Sequence, residues 1–106
     1  MFYKKDSAGY KEKLPGLNIK TLVHGERTSF TEMLLKKGTV VPMHKHFHEQ
    51  TGYLVKGKLL FNIAGEEIIA EPGDSWNIAG NVEHAAEALE ETVLIEVFSP
   101  VREDYL

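Results

Sequence analysis

The chain of 106 residues predicts an all-β sandwich or barrel. Three observations carry that prediction. Turn signals recur at a spacing of about 8–12 residues. The runs between them are short and rich in β-branched and aromatic residues. Glu87–Glu91, the one stretch that reads as helix, is too short to stand alone and is read as a strand ending in a turn.

Taken in order, the turns fall at Pro15-Gly16, Gly25-Glu26, Lys37-Gly38, Lys56-Gly57, Ala64-Gly65, Pro72-Gly73-Asp74 and Ala79-Gly80-Asn81. The strands expected between them are Ile19–Val23, Phe30–Leu35, Tyr53–Val55, Leu59–Ile63, Ile68–Ala70, Ser75–Ile78 and Thr92–Phe98. The last run alternates most clearly. Thr92, Leu94, Glu96 and Phe98 share one face, and Val93, Ile95 and Val97 share the other. The β-branched face is expected to pack between sheets or between subunits. Glu96 stands among apolar neighbours, where a carboxylate is costly to bury unless it is paired or functional. Exposure on an edge strand is the alternative.

Bulk properties narrow the function. The length fits one domain, 1–106. A net charge of −4 with scattered basic residues argues against nucleic acid as a partner. No apolar run approaches the length of a membrane span, and Met1–Tyr10 lacks a signal-peptide core, so the expected location is cytoplasmic. Without cysteine there is neither a disulfide framework nor a thiolate metal site.

The segment His44-Lys45-His46-Phe47-His48-Glu49-Gln50 and the later His84 carry the chemistry. On an extended strand His44, His46 and Gln50 share a parity, so a slight bend would converge them on one point, with His84 supplied by a second strand. Three imidazoles and an amide oxygen make a donor set for a divalent transition metal such as Zn, Ni, Fe or Mn. A polar barrel mouth without metal is the bland alternative. His48 is read as a turn or pocket-rim residue, His24 as an exposed turn residue and Trp76 as a large core or mouth residue.

The spacing of these residues resembles the cupins. Gly38, His44, His46, Gln50 and Gly57 match the first cupin motif, at about 38–57, with Gln50 where glutamate is usual. Gly73 and His84 match the second motif, at about 73–88, although Ala79, Asn81 and Ala88 replace its proline, second glycine and final asparagine. An N-terminal strand segment, 1–25, precedes both. The resemblance implies a double-sheet jelly-roll barrel with the metal held inside.

It extends to His46-Phe47-His48-Glu49-Gln50, Gly80-Asn81-Val82-Glu83-His84 and the tail Phe98 to Leu106, which are similar to small cupins of the pectin-degradation KdgF type. That similarity implies opening of 4,5-unsaturated uronates to linear keto sugar acids. It also implies roles near the metal for an acid, a phenylalanine two residues on, and an arginine. These fall on Glu96, where the family carries aspartate, on Phe98 and on Arg102. A metal with only neutral ligands keeps its full charge, which suits an anionic small-molecule substrate. Arg102 is expected to bind a carboxylate, with pairing to Glu103 or to a neighbouring subunit as the alternative. Edge strands left by so short a barrel imply a homodimer. A cupin of other chemistry (a dioxygenase or a sugar-acid isomerase) and a non-catalytic small-molecule-binding module are the competing functions.

Overall fold

The computed structural model describes residues 1–106. Ten strands follow one another: β1 (Lys11–Leu14), β2 (Leu17–His24), β3 (Ser29–Leu35), β4 (Val40–His44), β5 (Glu49–Lys56), β6 (Leu59–Ile63), β7 (Glu66–Ala70), β8 (Ser75–Ile78), β9 (His84–Ala88) and β10 (Thr92–Ser99). A 3₁₀ turn lies at Glu103–Tyr105. The strands form two antiparallel sheets, one ordered β1-β2-β3-β10-β5-β8 and the other β4-β9-β6-β7.

Alternation decides what faces the space between the sheets. In β10, Thr92, Leu94, Glu96 and Phe98 are buried, while Val93, Ile95 and Val97 lie on the outer surface. The β-branched face therefore does not pack between sheets, as one reading of the sequence had it; the carboxylate-bearing face does. Leu17, Ile19, Leu35, Leu54, Leu59, Phe61, Ala70, Ala88 and Leu94 form the core. Each fully buried large aliphatic side chain among them contributes about 1.5–3 kcal/mol.

The chain passes from one sheet to the other at Gly57. Its φ of +100° suits glycine. A Cβ there would run into the backbone carbonyl of Glu91 and the side chain of Thr92. The turn needs glycine on both counts.

Three strands, β1, β4 and β9, were hidden from an apolar-run reading; β9 reads His-Ala-Ala-Glu-Ala, with no β-branched residue. β1 reads Lys-Glu-Lys-Leu on the edge of its sheet, and β4 contains Pro42, which an edge strand tolerates because one side of its ladder is unpaired. The placement of the first motif also differs from the expected single bent strand. His44 ends β4, His46 lies in the connection, and Gln50 sits in β5 of the opposite sheet. A crossing between sheets, not strand parity, brings these residues together.

Candidate metal centre

His44 and His84 are direct cross-strand partners between β4 and β9, with ring centroids 4.2 Å apart. His46 reaches the same point from the connection after β4. Its backbone carbonyl accepts a hydrogen bond from the Asn81 N–H at 2.7 Å, which ties the connection to the turn before β9. Potential ligand atoms of the three histidines all lie within 4.8 Å of one another.

The tautomers follow from the backbone. Nδ1 of His44 faces the Pro42 carbonyl at 2.9 Å, Nδ1 of His46 the His48 carbonyl at 3.0 Å, and Nδ1 of His84 the Val82 carbonyl at 2.8 Å. A carbonyl only accepts, so each Nδ1 carries the proton and each Nε2 keeps its lone pair. Nε2 of His46 and of His84 is buried with no partner in the protein. Orphaned ring nitrogens oriented by carbonyls fit a transition-metal ion. Burial, followed by the positive charge of Arg102 and by His84, pushes His46 down to about 4. Burial also lowers His84, with His44 and Arg102 adding to the effect against the opposing Val82 carbonyl. Both rings are thus neutral, the form that binds metal.

Across the cavity, Gln50 and Glu96 form a buried pair. Gln50 Nε2 donates to Glu96 Oε2 at 2.6 Å, which leaves the amide oxygen as the atom able to bind an ion. Glu96 is only 4% exposed, so the solvent-facing alternative is overturned. Its Oε2 also accepts from Trp76 Nε1 at 2.9 Å. Burial raises the carboxyl above its ordinary range, against the two donors and Arg102.

Phe98, 1% exposed, forms the apolar floor and meets His46 edge-on at 5.9 Å. Arg102 is buried and lines the cavity with the histidines, Gln50, Glu96 and Phe98. It does not pair with Glu103. Its Nε and Nη2 donate to the two carboxylate oxygens of Asp104 at 2.9 and 2.8 Å. The guanidinium also stacks over Tyr105 at 3.9 Å from the ring centroid. That arrangement uses one edge of the fork and leaves the Nη1–Nη2 edge for a ligand.

The remaining expectations sort simply. His48 is buried outside the trio, stacked on Phe47 at 4.0 Å and edge-on to His46 at 5.6 Å. His24 is exposed at the end of β2. Trp76, Asp104 and Tyr105 touch the site residues but were not assigned to the site from sequence. For Trp76 a signal existed, because alternation along β8 places it on the same side as buried Ile78. For Asp104 and Tyr105 none did, since the 3₁₀ turn that brings them back has no periodicity to read.

Fold and site together define a class: a small two-sheet β-barrel whose open end holds a histidine cluster facing a buried acid and an arginine. The chain belongs to the cupin family, whose domain matches residues 31–98. It is 31% identical over 107 residues to the pectin degradation protein KdgF of Dickeya dadantii, covering 99% of this chain and 97% of that protein. The solved structure of KdgF from Halomonas sp. superposes with a TM-score of 0.93 at 30% identity, covering 100% of this chain and 98% of that one. An RmlC-like cupin from Shewanella frigidimarina gives a TM-score of 0.93 at 28% identity, covering 99% and 95%.

Proposed function

We propose that the chain is a metal-dependent isomerase or lyase that opens 4,5-unsaturated uronates to linear keto sugar acids. One observation carries the reading: the orphaned Nε2 atoms of His46 and His84 share a single cavity with the buried Glu96 carboxyl and the Arg102 guanidinium. The similarity to the two KdgF proteins supports the substrate class. His44, His46, His84 and the Gln50 amide oxygen would hold a divalent ion, which supplies charge and Lewis acidity to an anionic sugar acid.

The cavity these residues line is about 60 Å³ and is open on one side. A uronate enters from that mouth, beside His44, the most exposed of the three histidines, with the reacting edge of its ring turned in toward Glu96. Arg102 binds the carboxylate through its Nη1–Nη2 edge, while Asp104 and Tyr105 hold the guanidinium in place. Phe98 keeps the floor dry. The reaction balances without a co-reactant. The anomeric hydroxyl loses a proton and becomes the C1 carbonyl as the bond from C1 to the ring oxygen breaks; the enolate left on C5 becomes a ketone as C4 gains a proton. Glu96 moves that proton between the two positions.

The reading includes a cytoplasmic setting and a homodimer. The outer face of the six-stranded sheet supports the dimer, since Tyr53, Val55 and Val97 are exposed there. Light scattering should give twice the chain mass at micromolar concentration, and a monomer mass removes that part of the proposal.

The activity is tested by following far-UV absorbance of the conjugated double bond in 4,5-unsaturated galacturonate. Wild-type protein should accelerate its loss, and the His44→Ala, His46→Ala double variant should not. Equal rates with and without metal-loaded wild-type protein would overturn the proposal.

A further inference from the structure

Trp76 is the only tryptophan in the chain, and its place in the fold is built around one polar contact. It sits opposite Gly52 in the β5–β8 ladder. A Cβ at Gly52 would collide with the indole, so that glycine makes the slot in which the ring lies. Phe61 meets the ring edge-on from the other sheet at 4.7 Å between centroids. A phenylalanine would leave part of this slot empty and could not supply the Nε1–H that reaches Glu96 Oε2.

The second donor to that oxygen is Gln50. Both fall on Oε2, whereas Oε1 makes no hydrogen bond and is not among the sealed, unpartnered atoms. The last torsion of a glutamate is broad and roughly two-fold, so a single donor leaves the carboxyl plane poorly fixed. Two donors arriving from different strands fix it.

We propose that Trp76 is a positioning residue which, with Gln50, pins Oε2 of Glu96 so that Oε1 alone faces the cavity and exchanges the proton with the substrate. This rests on the reading of Glu96 as the group that moves the proton. It also gives Gln50 a second task. A glutamate at that position would set two carboxylates against each other, whereas the amide donates to Glu96 and still offers its oxygen to an ion.

Because the indole is unique, tryptophan emission reports on the surroundings of this one ring, the Glu96 contact among them. Wild type and Glu96→Gln, at equal metal content, should differ in emission maximum or intensity, because the acceptor at Nε1–H changes from carboxyl to amide. Identical spectra would overturn the pinning, whatever the substrate. In the uronate assay Trp76→Phe should lower kcat by about 10- to 100-fold, the scale expected when a reacting group is displaced by about 1 Å. KM and metal content should stay within about twofold, and Trp76→Phe should cost nothing further in a Glu96→Gln background. Unchanged kcat, or the same loss in both backgrounds, would overturn the positioning role. Should Trp76→Phe fail to fold, Gly52→Ala displaces the indole without removing it and should move emission and kcat together; a shift in neither counts against the proposal. A wild-type protein inactive on the uronate while its emission still responds to Glu96→Gln would defeat the proposed activity and leave the pinning standing.

Discussion

The closed and open ends of this barrel are made by the same strands yet have opposite characters. β10 contributes Thr92 and Leu94 to one end and Glu96 and Phe98 to the other. β9 runs from His84 to Ala88, and β5 from Gln50 to Leu54, with the same change of character along each. At the closed end polar groups are satisfied: the Thr92 hydroxyl donates to the Glu90 carbonyl at 2.9 Å. At the open end His46 and His84 keep buried nitrogens without partners. An unpartnered buried polar atom costs about 1–3 kcal/mol. The difference marks which end is built for stability and which for a ligand.

The largest expected effect breaks the two ends apart. His84→Ala should lower metal affinity by more than about 100-fold, since losing an outer-shell partner alone costs 10–100-fold. Its melting temperature without metal should hardly change. Leu54→Ala, at a fully buried position of the closed end, should do the reverse. It should destabilise the fold by about 2–5 kcal/mol while the folded fraction binds metal in unchanged stoichiometry. Metal titration by calorimetry and urea unfolding of both variants measure the pair. If both lost stability equally, the ends would not be separable in this way.

Legibility in the sequence followed the strands and not the ends. Period-two alternation runs along whole strands, so Leu59–Ile63 and Thr92–Phe98 could be read directly, as could the turn at Gly57. His44, His46, Gln50, His84, Glu96, Phe98 and Arg102, singled out in the sequence, all line one cavity. How they meet was not legible. His44 and Gln50 appear to share a strand because they are six residues apart, but the chain changes sheets between them. Nor does alternation reveal that Trp76 and Gln50 converge on one oxygen of Glu96, because that contact spans three strands of the six-stranded sheet. Arg102 lies beyond the last strand, held by Asp104 and by stacking on Tyr105, where no pattern extends.

The smallest expected effect sharpens the comparison within the open end itself, where burial favours the neutral form of both a base and an acid. His46 is held near 4, below the ordinary histidine value of 6.5. Between those limits the unfolded chain binds more protons than the folded one, so this residue makes stability fall as pH drops from 6.5 toward 4. Glu96 acts in the opposite sense. Its carboxyl is raised, so its contribution is complete below the ordinary value of 4.5 and is lost as pH climbs through the folded value. The two partly cancel in mildly acidic solution. Urea unfolding of metal-free protein at pH 7 and pH 5 reads the balance: burial of His46 and His84 favours a loss of stability on acidification, and burial of Glu96 opposes it. His46→Gln should flatten that dependence, and Glu96→Gln should steepen it by removing the opposing component. If both variants kept the wild-type slope, neither burial would be setting the protonation of the open end.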